Sequence, residues 1–296
     1  MNFSFQIYSP EEQIHDSKFE DKNISVYIKR DDKIHPFISG NKWRKLKYQL
    51  EEAKEQQINH LVTFGGAWSN HLLATAAAAA QFGFRATAYM RGEEIHNPVL
   101  DMCRLFGMNL LFVDRESYRN KEELFQRGHN PQTSYFIDEG GKSDLGIKGC
   151  AEIISELEQQ YDHIFVASGT GTTVAGIQLG IAKNNLQTKV HSIPVLKGAE
   201  FLKNEFQSWN IDPELITLHL DYHFSGYAKV KPDLIAFIKS FISSTGIMIE
   251  PTYTGKLLFG VYDLIEKEYF KPNSKILVIH TGGITGLLGH LQHFNR

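Results

Sequence analysis

The sequence predicts an α/β fold built on parallel strands, and two observations carry this prediction. Short apolar runs alternate with helix-type segments over most of the 296 residues, a pattern typical of parallel sheets. Three of the runs, residues 61–64, 163–167 and 276–280, end at turns that contain two glycines. Ligands of such sheets bind beyond the carboxyl ends of the strands, so these turns are candidate parts of one site.

The individual elements follow from local patterns taken in chain order. A short strand at residues 26–28 precedes a helix from residue 42 to about residue 57. The strand at 61–64 leads to a helix at 71–82, which Ser69 and Asn70 cap and whose alanines favour the helical state. Residues 248–250 are predicted to be extended. Residues 197–219 show neither the helical nor the strand repeat of apolar residues over any length. The remaining segments are strands at 85–90, 109–113, 134–137, 163–167, 190–195 and 276–280, and helices at 97–106, 145–160, 174–183, 233–243 and 255–267.

Composition narrows the class of protein. A hydrophobic content of 42% and a charged content of 22% are typical of a globular enzyme. The formal charge of −3 offers no basic surplus for nucleic acid or an anionic membrane, and no stretch approaches the roughly 20 apolar residues of a membrane span. Cys103 and Cys150 lack metal-site spacing and are expected to be reduced core thiols. A cytoplasmic enzyme with a small ligand and no metal is therefore expected.

The most informative stretch is SGNKWRKLKY, residues 39–48. Lys42 follows Gly40 and Asn41 at the start of a predicted helix, and the glycine would let the backbone come close to a ligand. Lys42 is therefore the candidate for a Schiff base with pyridoxal phosphate. The alternative is that the cations of this run form an ordinary solvated helix face.

A second stretch, SGTGTT at residues 168–173, predicts an anion cradle between a strand and a helix. Glycines permit a tight turn whose N–H groups converge, and the helix start adds roughly half a positive charge. The spacing fits neither nucleotide-binding glycine motif, and the loop has no lysine to spread over several phosphates. A monophosphate such as that of pyridoxal phosphate suits the loop, although an ordinary glycine-rich turn remains the alternative.

A third stretch, GGAWSNH at residues 65–71, lies at another strand end and helix start. The Ser69 hydroxyl could hold a substrate carboxylate, and Asn70 could bond a hydroxyl of a cofactor ring. The alternative for Ser69 is a purely structural N-cap. His71 and His280 flank the predicted site and are expected to support it structurally.

Taken together and in this order, these stretches resemble the 1-aminocyclopropane-1-carboxylate deaminase/D-cysteine desulfhydrase family of fold type II pyridoxal phosphate enzymes. The matching pieces, from about residue 29 to residue 288, are KRDD, SGNKWRKLKY, FGGAWSNH, EGGKSDLGIKG, SGTGTTVAG, EPTYTGK and HTGG. The resemblance implies two open twisted α/β domains with the cofactor in the cleft between them. Residues 46–152 would form a small domain inserted into a large one made of residues 1–45 and 153–296, and a homodimer is implied.

The resemblance also implies roles for individual residues. Lys42 would carry pyridoxal 5'-phosphate, and Ser69 and Asn70 would face substrate and cofactor. Two tyrosines are expected in the site, for which Tyr253 and Tyr227 match, with Tyr222 a nearby competitor for the second. The residues implied to hold the phosphate are Gly169, Thr170, Gly171, Thr172 and Thr173.

Two positions that are also implied to contact the cofactor, Thr254 and Thr281, distinguish the branches of this family. Cyclopropane deaminases carry a glutamate and a leucine where this chain has Thr254 and Thr281, whereas D-cysteine desulfhydrases carry small hydroxyl residues there. The implied reaction is an α,β-elimination from D-cysteine or a related D-amino acid, giving pyruvate, ammonia and sulfide. The alternatives are deamination of 1-aminocyclopropane-1-carboxylate to 2-oxobutyrate and, from another class, a non-catalytic protein that binds pyridoxal phosphate. Trp68 departs from the family, which commonly has glutamine there.

Overall fold

The computed structural model describes residues 6–294, which form ten strands and ten α-helices joined by short 3₁₀ turns. The strands are β1 Glu11–Ile14, β2 Ser25–Lys29, β3 His60–Gly65, β4 Arg85–Arg91, β5 Met108–Val113, β6 Tyr135–Ile137, β7 His163–Ser168, β8 Lys189–Pro194, β9 Ile216–Leu218 and β10 Lys275–Ile279. The helices are α1 Ser17–Glu20, α2 Asn41–Glu55, α3 Asn70–Phe82, α4 Pro98–Leu105, α5 Lys121–Gly128, α6 Asp144–Ser155, α7 Thr172–Lys183, α8 Phe201–Ser208, α9 Pro232–Thr245 and α10 Thr254–Glu266.

Two sheets organise these elements. The first has six strands in the order β1-β2-β10-β7-β8-β9, and all its pairs are parallel except β1 with β2. The second has four parallel strands in the order β5-β4-β3-β6. Apolar clusters cover both faces of each sheet, as expected for parallel strands that read as continuous apolar runs.

The second sheet lies wholly within residues 60–137, and the strands of the first sheet come from both sides of it in sequence. Trp43 and Leu46 of α2 pack into the apolar cluster of the second sheet. Helix α6 packs on α7 and on α2, so these three helices lie where the two sheets meet. A cleft between two α/β layers follows from this arrangement.

The α/β prediction is confirmed, and most predicted elements coincide with observed ones. Ser69 and Asn97 cap α3 and α4 through hydrogen bonds from Leu72 and Leu100. The predicted helix at 145–160 is too long, because the chain leaves α6 after Ser155. Residues 248–250 form no strand with either sheet.

The state of the two cysteines agrees with the expectation from sequence. Cys103 and Cys150 are free thiols in the core. Within residues 6–294, no helix is long and apolar enough to cross a membrane, and no group of His, Cys, Asp or Glu side chains is arranged to hold a metal ion.

Candidate active site

A cavity of about 860 Å³ opens at the carboxyl ends of β3 and β7. A small adjoining cavity of about 30 Å³ is lined by Lys42, Asn70, Tyr253 and Thr281 together with neighbouring backbone. The fold thus assembles stretches that are more than 200 residues apart in sequence. The predicted site residues that line the larger cavity are Lys42, Ser69, Asn70, Gly169, Thr170, Gly171, Thr173, Tyr227 and Tyr253.

The start of α2 places Lys42 in the cavity, although the glycine before it works differently from the sequence prediction. Gly40 has a φ of 60°, and a Cβ there would collide with the Thr281 carbonyl. The Asn41 N–H also donates to the Thr281 oxygen at 3.3 Å. Gly40 therefore permits a close approach of two backbone segments, and the first turn of α2 is fixed against the end of β10.

The cationic run of α2 is not a solvated helix face, because Arg44 and Lys45 are 1% and 3% exposed. Arg44 and Lys47 form ion pairs with Asp31 and Glu152. Among the described residues, Lys42 and Lys45 have no carboxylate within ion-pair distance; the Lys45 ammonium donates to the Gly140 carbonyl at 3.2 Å. Burial lowers the pKa of Lys45, and burial together with the Lys45 charge holds the pKa of Lys42 well below its usual value.

The predicted anion cradle is the start of α7. Its N-cap is Gly171, with a φ of 83°, and no side chain caps the helix, so its first N–H groups stay available to a ligand. Asn41 extends the wall by donating to the Thr173 hydroxyl at 3.0 Å. Thr172 is fully buried, and its hydroxyl lies 3.2 Å from that of Thr170. Its side chain therefore stands behind the cradle, where only its backbone could reach an anion.

Ser69 caps α3 and also lies at the cavity. Its hydroxyl oxygen accepts the Leu72 N–H at 3.4 Å and caps α3, and the residue also lines the cavity. Its own proton remains available for a ligand. The Asn70 side-chain oxygen accepts the Thr285 hydroxyl at 3.2 Å, which fixes the amide at the junction of the two cavities.

His71 is a buried histidine at the cavity, and its Nδ1 atom can accept a hydrogen bond. The Thr63 hydroxyl donates to the Ile137 carbonyl at 2.9 Å, so it must accept from His71 Nε2 at 2.7 Å. His71 Nδ1 then carries a lone pair, and it has no hydrogen-bond partner. Burial and the charges of Lys42 and Lys45 hold the pKa of His71 well below its usual value. The wall is therefore a neutral imidazole beside two lysines.

Tyr253 and Tyr227 meet inside the cavity, with ring centroids 6.0 Å apart. The Tyr253 hydroxyl lies so close to Gly169 that a Cβ there would be 3.3 Å from it. Burial raises the pKa of both tyrosines, and that of Tyr253 lies well above its usual value. Tyr222 donates to Asp263 at 2.6 Å and does not line the cavity. The geometry thus favours Tyr227 as the second tyrosine.

Glu250 shapes the loop that carries Tyr253, a function that sequence reasoning missed. Its buried carboxylate accepts the N–H groups of Thr252 and Tyr253, both at 2.7 Å, and that of Thr254 at 2.9 Å. The Thr254 hydroxyl also bonds Glu250, at 3.3 Å from the carboxylate, and lines neither cavity. Of the two branch-marking threonines, Thr281 faces the site and Thr254 supports the loop.

Lys256 is another residue that the sequence did not single out. It is fully buried, and its ammonium donates to the carbonyls of His223 and Gly226 at 3.0 and 2.8 Å. These contacts hold the turn that presents Tyr227. Burial lowers the pKa of Lys256 to about 8.

We expect Lys256→Met to free that turn and to leave two carbonyls without their donor. Each lost partner costs about 1–3 kcal/mol, so the free energy of unfolding should fall by about 2 kcal/mol or more in urea titrations. Lys267→Met is the matched control, because this lysine pairs with Asp263 at the exposed end of the same helix. A change of less than about 0.5 kcal/mol at both positions would contradict the assignment.

An uncapped helix start that shares a cavity with the buried Lys45 and the partly buried Lys42, neither paired with a carboxylate of residues 6–294, suits a phosphate monoester whose carbonyl can react with an amine. With a cleft between two parallel α/β layers, this site defines the class as a fold type II pyridoxal phosphate enzyme. The profile of the pyridoxal-phosphate dependent enzyme family matches residues 13–282, and the chain belongs to that family.

Named relatives narrow the comparison. The bifunctional D-cysteine desulfhydrase/1-aminocyclopropane-1-carboxylate deaminase of Arabidopsis thaliana is 32% identical over 88% of this chain and 73% of that protein. The D-cysteine desulfhydrase of Yersinia enterocolitica is 30% identical over 90% of this chain and 88% of that protein. A crystal structure of a 1-aminocyclopropane-1-carboxylate deaminase homologue superposes with a TM-score of 0.84, 28% identity, and coverage of 100% of this chain and 94% of the other.

Proposed function

We propose that this enzyme is a lyase that catalyses α,β-elimination from D-cysteine or a related D-amino acid, giving pyruvate, ammonia and sulfide. The observation that carries the proposal is Lys42, a partly buried lysine with lowered pKa in the cavity at the uncapped start of α7. Both activities in the names of the relatives are consistent with such a site. Pyridoxal phosphate, when bound, supplies the carbonyl for the Schiff base and an electron sink for the charge at Cα.

The residues of the chain divide the work between binding and proton transfer. Gly169, Thr170, Gly171 and Thr173, with the backbone of Thr172, would hold the phosphate, and Lys45 would balance its charge. Ser69 would donate to the substrate carboxylate, and Asn70 would donate to the ring hydroxyl. Lys42 would remove the Cα proton, because burial and the Lys45 charge hold its pKa well below its usual value and favour the neutral amine.

The leaving thiolate needs a proton, and Tyr253 can supply it. A phenol whose pKa is raised by burial stays protonated at neutral pH, so it can act as a donor. Tyr227 packs against it from the cavity side and excludes water from that face. A Tyr253 hydroxyl placed at the leaving group would favour elimination over the return of a proton to Cα.

The choice between the two named activities depends on charge near the cofactor ring. A carboxylate there would keep the ring nitrogen protonated, which ring opening of a cyclopropane substrate is expected to need. Thr281 offers only a neutral hydroxyl to the small cavity, and the nearby Glu250 carboxylate is committed to three backbone N–H groups. This favours elimination of a good leaving group.

We expect the enzyme to form pyruvate and sulfide from D-cysteine. The kcat/KM of this reaction should be at least about tenfold higher than the kcat/KM for forming 2-oxobutyrate from 1-aminocyclopropane-1-carboxylate. The measurement is keto-acid release by the cofactor-loaded enzyme, with D-cysteine, L-cysteine and the cyclopropane substrate compared side by side. Dominant 2-oxobutyrate would establish the deaminase alternative. Cofactor absorbance that borohydride reduces, without turnover of any amino acid, would instead support a non-catalytic binding protein.

Three further proposals concern the whole protein. Residues 46–152 would move as a small domain against a large one formed by residues 1–45 and 153–296, since the second sheet lies within the first range. A homodimer and a cytoplasmic location follow from the resemblance and from the composition. Sedimentation of the purified enzyme tests the homodimer, and fractionation of the cells that contain it tests the cytoplasmic location.

A further inference from the structure

The cavity has more aromatic surface than a cysteine would cover. Its volume of about 860 Å³, which the substrate would share with the cofactor, lies near the top of the ~300–1,000 Å³ range of pockets that hold drug-sized ligands. Trp68 and Phe201 line it and remain 39% and 41% exposed. Aromatic faces left open inside a binding cavity are surfaces that a ligand covers.

The Trp68 indole packs against a glycine-containing backbone segment. Residues 284–289 form a 3₁₀ segment, and three residues per turn place Gly283, Gly286 and Gly289 on one face. Gly283 and Gly286 face the Asn70 amide, and Gly289 faces Trp68, where a Cβ would lie 2.9 Å from indole Cδ2. The backbone of this segment thus supports one side of the ring, and the other side is left for a ligand.

The wall continues from Trp68 to the proton donor. His290 and His293 line the same side of the cavity, with ring centroids 5.9 Å apart. His290 Nε2 lies 3.4 Å from the Thr252 hydroxyl, next to Tyr253. Burial lowers the pKa of His290. A group attached to the leaving sulfur at Tyr253 would therefore run along an aromatic wall that ends at Trp68.

We propose that Trp68 determines substrate specificity and that the enzyme prefers D-cysteines whose sulfur carries a flat aromatic substituent. This rests on the proposed elimination and extends it. Lys42 takes the Cα proton, the Cβ–S bond breaks with its electron pair on sulfur, and the thiolate takes a proton from Tyr253. With one water, an S-substituted D-cysteine yields one thiol, one pyruvate and one ammonium ion.

The test compares S-benzyl-D-cysteine with S-methyl-D-cysteine, because both lose an alkyl thiolate and differ chiefly in the aromatic ring. An aromatic contact on Trp68 should favour the benzyl substrate about tenfold in kcat/KM. Trp68→Phe should keep most of this preference, and Trp68→Gln should remove it with its effect mainly in KM. Leu288→Ala is the control, since Leu288 neighbours Gly289 but does not line the cavity.

Binding without turnover separates this inference from the proposed reaction. D-Phenylalanine and D-alanine carry no leaving group, and their dissociation constants can be measured by calorimetry with the cofactor-loaded enzyme. We expect D-phenylalanine to bind about tenfold more tightly, and the difference to vanish in Trp68→Gln. If no substrate is turned over but this difference holds, the elimination is wrong and the aromatic wall is supported. Equal effects of Trp68→Gln on both ligands, or on both substrates, would overturn the role of Trp68.

Discussion

Replacing Lys42 with methionine is expected to lower kcat/KM by at least about 10⁴-fold. Loss of a general base alone costs about 10²–10⁴-fold, and the covalent attachment of the cofactor is lost with the same atom. The variant should fold, because a partly buried amine without a carboxylate partner is unfavourable for stability and methionine fills a similar volume. Keto-acid release and a urea unfolding curve measured on the same preparation separate the two effects.

Borohydride reduction of the loaded wild-type enzyme identifies the attached lysine directly. Peptide mapping should find the reduced cofactor on Lys42, and Lys42→Met should remain unlabelled. Lys47→Gln is the matched control, because Lys47 lies on the same helix outside the cavity and pairs with Glu152 at 2.8 Å; it should retain activity within about twofold. A label on Lys45, one turn along α2, would move the assignment to that residue.

Prediction from sequence succeeds here where a local cause is sufficient. Strand β3 and strand β7 are apolar runs that end at glycine turns, and the cap of α3 is a serine with a known preference for that position. The cleft between the two sheets then brings Lys42, Ser69 and the start of α7 together, because the carboxyl ends of β3 and β7 meet there from different sheets. The outline of the site can therefore be predicted from local features of the sequence, namely strand ends, glycine turns and helix starts.

The parts that were missed depend on contacts across the fold. Helix α6 ends early where the Glu158 N–H is taken by the Glu11 carboxylate of β1 at 3.0 Å, and no local pattern shows that partner. Strand β1 itself buries only Ile14. The sequence does not show that Lys45 and Lys256 are buried, because their burial depends on segments about a hundred and about thirty residues away. The one available signal for Lys256 is its position at the end of the PTYTGK stretch.

Asp31→Ala is expected to lower the free energy of unfolding by about 3–5 kcal/mol, because it leaves a buried guanidinium short of a partner. Arg44 binds Asp31 through Nε at 2.6 Å and Nη2 at 2.8 Å, with both side chains at most 1% exposed. Its remaining partner, Glu156, is 30% exposed. Chemical denaturation measures the change, and Glu214→Gln, at the exposed Lys203 pair, should cost less than about 1 kcal/mol.

A double variant tests whether unpaired charge is the cause. Asp31→Leu with Arg44→Met replaces the pair with apolar groups, which is often neutral for stability, so most of the loss should be regained. If the double variant stays as unstable as Asp31→Ala, the loss instead arises from other contacts such as the Ser9 hydroxyl, 2.6 Å from Asp31. The Arg44–Asp31 ion pair is expected to add little net stability compared with an apolar pair. Its main effect is then to fix the start of α2 between β2 and α6. We therefore expect the double variant to regain stability while its turnover stays below that of the wild type, because Lys42 lies two residues from Arg44 on that same turn.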